Sequence, residues 1–256
     1  MNTHNIKQFR EKIKNNFAFG IFMKTIDPAF VEIAGHSGMD FIILDMEHGS
    51  ASIETMQNHV RAAQLSNMLP IIRVAHLDEL AILQALDIGA AGVQIPKIST
   101  VEDARLAVEY SKYHPLGKRG VCRFVRAAAY SSNPREAYFS TANENTLVII
   151  QLEGNNSFNE LDAILSVKGI DIIFIGPYDL SQSLGLTGQT SHPFVVDVMQ
   201  DIVKKAQAVG CTLGTFTDSQ ETYNLWKNAG VRYLSYSVDV GIFYEACVSL
   251  VNQSNQ

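Results

Sequence analysis

Apolar positions along the chain fall into two recurring patterns. Short runs rich in β-branched, aromatic and aliphatic residues, apolar almost without interruption, alternate with longer stretches in which apolar residues return every three or four positions. The first pattern suits a strand covered on both faces, and the second suits an amphipathic helix. The short runs occupy 17–22 (FAFGIF), 41–46 (FIILDM), 70–74 (PIIRV), 92–96 (GVQIP), 147–152 (LVIIQL), 172–176 (IIFIG), 212–216 (TLGTF) and 233–238 (YLSYSV). The helical spacing predicts helices over 53–66, 80–88, 101–113, 158–167, 194–209 and 220–228, and the polar N-terminal segment reads as a further helix. Several of these stretches close on a glycine just ahead of the next strand, as at Gly89, Gly210 and Gly230, where a left-handed helix stop is needed.

Eight strand runs separated by helices, in 256 residues, predict a single (β/α)8 TIM barrel with an N-terminal helix, one domain over 1–256. An open doubly wound sheet shares the alternation, and the count of eight favours the closed form. The segment 113–133 breaks the rhythm. It holds Pro115, Gly117, Gly120 and four cations, Lys118, Arg119, Arg123 and Arg126, and is expected to be a long loop.

Composition narrows the function classes. A hydrophobic fraction of 46% with 18% charged residues is that of a globular protein rather than a disordered one. The net charge of −6, without any long basic run, lacks the electrostatic footprint of a nucleic-acid binder, so small molecules are the expected partners. Three widely spaced cysteines, Cys122, Cys211 and Cys247, suggest neither a disulfide framework nor a zinc knuckle. No run approaches the roughly 18 apolar residues of a membrane span, and the N-terminus lacks the apolar core of a signal peptide. A cytoplasmic location, without nucleic acid or membrane, is the expectation.

In a barrel of this kind the active site is built from strand C-termini, and the polar residues there form an unusual set. The second run leads into Asp45-Met46-Glu47-His48, the third carries Arg73, the fourth is followed by Lys97, the fifth carries Gln151 and precedes Glu153, and the sixth leads into Pro177-Tyr178-Asp179. Glu153 and Asp179 follow neighbouring strands, so their carboxylates can converge, and two hard oxygen ligands suit Mg²⁺ or Mn²⁺. Co²⁺ and Zn²⁺ remain open, as does the bland reading of each carboxylate as a helix cap or solvated loop group. His48, with acidic neighbours, has the character of a general base near neutral pH, its alternative being a surface histidine at a helix start.

Arg73 lies in an otherwise apolar strand, where an unpaired cation is costly; it must meet an anion, either a protein carboxylate or a substrate carboxylate or enolate. Lys97 keeps a Schiff-base mechanism in view. The four cations of 113–133 either hold a distal substrate carboxylate or merely solvate the loop. The stretch Gly89-Ala90-Ala91-Gly92 precedes a strand rather than following one, which argues against a nucleotide cofactor.

The segments 40–49 (DFIILDMEHG), 89–96 (GAAGVQIP), 117–120 (GKRG), 151–153 (QLE) and 169–185 (GIDIIFIGPYDLSQSLG) occur in that order. Together they resemble the metal-dependent, class II pyruvate aldolases, the family of 4-hydroxy-2-oxoheptanedioate aldolase, 2-keto-3-deoxy-L-rhamnonate aldolase and 2-dehydro-3-deoxyglucarate aldolase. The resemblance spans nearly the whole chain and rests on the combination of motifs. It implies a metal held by Glu153 and Asp179 and chelated by pyruvate, with His48 as catalytic base supported by Asp87. It further implies that Arg73 steadies the enolate, that Gln151 stands beside the metal, that Asp45 lies near its water shell, and that backbone amides at Tyr178 and Asp179 hold the pyruvate carboxylate.

The resemblance also implies a homo-oligomer, a hexamer built from dimers that exchange their last helix, which would turn the segment after Val240 into an interface. There are departures from the family pattern. His114-Pro115-Leu116 replaces a pair of prolines and Tyr178 is bulky, differences that bear on substrate size. The expected activity is reversible cleavage of a 4-hydroxy-2-oxo acid to pyruvate and an aldehyde. The alternatives are a lyase of citryl or malyl thioesters on the same barrel and a barrel that binds a keto acid without catalysis.

Overall fold

A computed structural model describes residues 3–255; Met1, Asn2 and Gln256, the outermost residues of the expected domain, lie outside the described residues. All eight expected strands form: β1 (Ala18–Met23), β2 (Phe41–Asp45), β3 (Leu69–Arg73), β4 (Gly92–Ile95), β5 (Leu147–Leu152), β6 (Ile172–Ile175), β7 (Thr212–Thr217) and β8 (Tyr233–Val238). They pair in parallel and in chain order, and β1 closes on β8 through Ala18 opposite Tyr233, which makes a (β/α)8 barrel.

The helices are α1 (Thr3–Asn15), α2 (Pro28–His36), α3 (Ile53–Leu65), α4 (Glu79–Asp87), α5 (Val101–Ser111), α6 (Arg135–Glu144), α7 (Asn155–Asn159), α8 (Leu161–Leu165), α9 (Pro177–Ser183), α10 (Pro193–Ala208), α11 (Gln220–Ala229) and α12 (Asp239–Ser254). Two details correct the expectation from the sequence. The single helix expected over 158–167 is two, α7 and α8, parted at Glu160, whose carboxylate turns away to accept from the Val101 amide at 2.7 Å at the start of α5. The long loop contains a short 3-10 turn, Arg126–Ser131, and leads into α6, which anchors it through Tyr138 packed near Tyr113.

Period-two alternation sorts each strand into an inward and an outward face. Inward positions carry a lower layer of Phe41, Leu69 and Leu147, then Ile43, Ile71 and Ile149, all buried in one cluster. The third inward layer is polar: Asp45, Arg73 and Gln151, each two residues further along its strand. The strands therefore read as continuous apolar runs that end in chemistry.

The bottom of the barrel is closed. Ile6, Phe9 and Ile13, three and four apart on α1, join the inner cluster, and Phe9 meets Phe41 and Tyr233 edge-on at 6.2 and 6.3 Å. Phe41 and Tyr233 stack at 3.8 Å. Gly20 and Gly214 make room for that stack, since a Cβ on either would come within 2.6 Å of the Phe41 or the Tyr233 ring. With the lower end plugged, a ligand can enter only at the strand C-termini.

The last helix is exceptional. Of α12 only Asp239 is buried, whereas Phe243, Tyr244 and Leu250 are 61%, 69% and 66% exposed. Among the described residues no helix is long and apolar enough to cross a membrane.

Candidate active site

The polar upper layer is organised around Arg73. Asp45 and Arg73 are paired in register on β2 and β3, so their side chains leave the sheet side by side. Arg73 Nε and Nη2 donate to the two oxygens of Asp45 at 2.9 and 2.8 Å, a bidentate contact, and Nη1 lies 3.1 Å from Glu47. The guanidinium rests 4.7 Å over the Phe22 ring. Of the two anions left open for Arg73, the structure supplies protein carboxylates, while the cation still lines the barrel mouth.

Asp45 does more than pair. Its Oδ1 also accepts from the backbone amides of Glu47 at 3.0 Å and His48 at 3.3 Å, an Asx turn that folds the chain back after β2. Burial pushes its carboxyl up, but Arg73 and these amides outweigh it and hold Asp45 below the usual carboxylate range. Its role is to orient Arg73 and the Glu47–His48 turn.

Glu47, which the sequence does not single out, is a hub. Its side chain is 5% exposed and meets Arg73, Lys97 at 2.9 Å and the His48 Nε2 at 3.9 Å. The hydrogen bond and charge of Glu47 raise the Lys97 pKa. A Schiff base needs a lysine that loses its proton readily, so this ion pair disfavours the Schiff-base route.

The two carboxylates expected to share an ion converge. A Cβ placed on Gly176 would lie 3.5 Å from Asp179 Oδ2, 3.5 Å from Glu153 Cγ and 3.4 Å from Gln151 Nε2, so the missing side chain at Gly176 leaves these three groups around one small space. Gln94 donates to Gln151 Oε1 at 2.6 Å, which fixes the Gln151 amide so that its nitrogen donates to Glu153 Oε1. Burial, then the charges of Asp179 and Glu47, push Glu153 up to about 7. A carboxyl so disposed toward holding a proton is a group short of positive charge.

Among the described residues no cluster of three or more His, Cys, Asp or Glu could hold an ion unaided. Two carboxylates with open positions beside them still fit a hard divalent cation, which keeps water or ligand oxygens in its remaining places.

These groups open into a cavity of about 330 Å³ that Lys24, His48, Arg73, Gln151, Tyr178 and Asp179 help to line. The His48 side chain is 59% exposed at its edge. Tyr178 donates through its hydroxyl to Asp218, and that bond, followed by burial, raises its phenol to about 12.

One expected member is elsewhere. Asp87 ends α4, just before β4 begins, and so lies at the lower end of the barrel, while His48 follows the upper end of β2. Five strand residues span about 16 Å, and the Asp87 carboxylate accepts from Arg119 at 2.7 Å. Within one chain it does not support His48.

The loop cations also turn away from the cavity. Lys118 pairs with Glu109 at 2.6 Å, Arg119 with Asp87, Arg123 donates to Asn133 O at 2.9 Å, and Arg126 to Gln64 Oε1 at 2.6 Å. Of the remaining histidines, buried His59 is structural, with its ring nitrogens 2.9 Å from the Thr55 and Thr25 carbonyls.

Comparison with known proteins agrees with this architecture. The model of the HpcH/HpaI aldolase/citrate lyase family matches residues 18–246. A hydroxypyruvate/pyruvate aldolase of Roseobacter denitrificans is 32% identical over 93% of this chain and 93% of its own length. A 2-keto-3-deoxy-L-rhamnonate aldolase of Salmonella paratyphi B is likewise 32% identical, over 93% of this chain and 89% of its own. Among solved structures, an HpcH/HpaI aldolase/citrate lyase family protein from Burkholderia cenocepacia superposes with a TM-score of 0.92 at 28% identity, covering 97% of this chain and 99% of that one.

Proposed function

The chain belongs to the HpcH/HpaI aldolase/citrate lyase family, and from that premise we propose that it is a divalent-metal-dependent aldolase that reversibly cleaves a 4-hydroxy-2-oxo acid to pyruvate and an aldehyde. The observation that carries the reading is the convergence of Glu153, Asp179 and Gln151 on the open space at Gly176, beside Arg73 and one cavity. Glu153 and Asp179 are the residues that would hold the ion. When bound, a divalent ion supplies Lewis-acid polarisation of the oxygens of a 2-oxo acid.

The side chains divide the remaining work. His48 takes the proton of the C4 hydroxyl, directly or through a water, and the C3–C4 bond breaks. Arg73, held rigidly by Asp45 and Glu47, offers a fixed cation where negative charge grows on the pyruvate half, and such preorganised charge costs no rearrangement during the reaction. The first-turn amides at Tyr178 and Asp179, which a helix leaves without intrahelical partners, suit the pyruvate carboxylate. Returning the proton to C3 gives pyruvate, and the aldehyde departs separately.

The test is pyruvate release from a panel of 4-hydroxy-2-oxo acids with Mg²⁺ or Mn²⁺. Activity is expected with at least one, with loss on chelation and a fall of about 10²-fold or more in His48→Ala. A barrel that merely binds keto acids predicts no release at all, and activity that survives EDTA contradicts the metal reading.

Assembly belongs to the same proposal. The bare apolar side of α12 suits docking on another copy, because exposed patches of this kind mark interfaces. Any support of His48 by Asp87 would then join different copies. Light scattering is expected to return a multiple of the chain mass, and the mass of one chain would speak against this.

A further inference from the structure

We propose that Lys24 is a specificity-determining residue that docks a carboxylate on the aldehyde half of the substrate, so that the enzyme favours acids bearing a second, distal carboxylate. The inference rests on the aldolase reading and extends it to a part of the cavity that reading leaves unassigned.

Arg73, Gln151 and Asp179, from β3, β5 and the exit of β6, gather at one side of the cavity, where the pyruvate half is bound. The remaining wall comes from β1, β7 and β8. There Phe22, Phe216 and Val238 are apolar, and Lys24, at the exit of β1, is the cation. In the closed sheet β1 neighbours β2, the strand that leads to His48. A substrate whose C4 hydroxyl faces His48 therefore carries its aldehyde substituent toward Lys24.

The lysine is built in, not merely present. Asp239, the first residue of α12, accepts the backbone amides of Lys24 at 3.0 Å and Thr25 at 2.8 Å, one on each carboxylate oxygen. The Thr25 carbonyl is fixed from the other side by His59 at 2.9 Å. The side chain, by contrast, is loosely engaged. Its ammonium lies 3.9 Å from Asp45 Oδ2, beyond hydrogen-bond range, and that oxygen already receives Arg73 at 2.8 Å.

The Lys24 ammonium thus has a single long contact with a protein carboxylate and keeps its donors available for an anion in the cavity. The loop cations that might compete for a distal carboxylate are engaged elsewhere. A single ammonium matches a carboxylate monoanion, whereas a phosphate dianion calls for more donors than this wall provides.

The experiment compares 2-oxoadipate with 2-oxohexanoate, which differ in the distal carboxylate and lack the C4 hydroxyl, by calorimetric titration of the Mn²⁺-loaded protein. The wild type is expected to bind the dioate about tenfold more tightly, a gain typical of a charge-assisted contact. Lys24→Met should abolish that preference and Lys24→Arg retain most of it. Equal binding of the two acids by the wild type, or a preference that survives Lys24→Met, overturns the proposal. Because the affinity for 2-oxohexanoate reports on the integrity of the pocket, misfolding of a variant is recognised as an equal loss for both acids. In that event Lys24→Gln at the same position decides by the same ratio.

Turnover separates the two levels of the argument. With pyruvate as donor, the wild type should prefer 4-oxobutanoate over butanal and Lys24→Met should narrow that ratio. Carbon–carbon bond formation with neither aldehyde would count against the aldolase reading, while the titration still judges Lys24.

Discussion

Replacing Glu153 by Gln, or Asp179 by Asn, is expected to lower pyruvate release by about 10³-fold or more, roughly 4 kcal/mol of transition-state stabilisation. The expectation follows from the small number of ligands. Glu153 and Asp179 are the carboxylates that meet at the Gly176 space, and neutralising either leaves one anion of that pair, too little to compete with bulk water for a hard cation. Folding should not suffer in Glu153→Gln, because that carboxyl is held at about 7 by burial and by its acidic neighbours.

A folded pKa above the ordinary value of 4.5 means that the metal-free native state binds the extra proton. Its stability therefore falls as pH rises from about 4.5 through 7, and the amide variant escapes that loss. The same proton competes with the ion, so metal affinity is expected to strengthen as pH rises toward 7 and to level off above it. Rate assays, melting curves and metal titrations at pH 6 and 8 check the set. A variant that loses activity only because it unfolds would contradict it.

The second large effect is on stability. Arg73→Met leaves Asp45, wholly buried, and Glu47, nearly so, without the cation they share. Removing one partner of a buried ion pair typically costs about 3–5 kcal/mol. In a chain of this size that lowers the melting temperature on the order of 10 °C. Adding Asp45→Asn should restore part of the loss, since one uncompensated charge is then removed. Arg73→Lys keeps the charge but not the two-pronged contact and should fall between the two. An unchanged melting temperature in Arg73→Met would mean that the cation is dispensable to the fold.

The residues of the site differ in how legible they are in the amino-acid sequence. The strands are readable because a barrel strand is buried on both faces, and their polar third layer stands out because Asp45, Arg73 and Gln151 interrupt apolar runs. Glu153 and Asp179 are readable for the same reason, as acids just past the ends of β5 and β6. Asp87 is not. Its distance from His48 along the sequence says nothing of its place at the far end of a helix that runs back down the barrel.

The partners of the four loop cations are no more legible, for Glu109, Asp87 and Gln64 sit on the helices α5, α4 and α3, and Arg123 folds back onto the Asn133 carbonyl of its own loop. Lys24 is missed by one residue. The run FAFGIF stops at Phe22, but β1 continues to Met23, which places Lys24 at a strand exit, where polar residues are most often functional. Glu47 is hidden inside the motif that contains it, because its three partners, Arg73, Lys97 and His48, come together only when β2, β3 and β4 are laid side by side.

The central claim is that Glu153 and Asp179 hold one divalent ion on which 2-oxo acid binding depends. Electron paramagnetic resonance of Mn²⁺ titrated into the protein, with and without pyruvate, tests it most directly. The account predicts one tightly held Mn²⁺ per chain, a spectrum that changes when pyruvate is added, and loss of both in the Glu153→Gln, Asp179→Asn double variant. Equal Mn²⁺ binding by the double variant, or pyruvate binding untouched by removal of the metal, would contradict it.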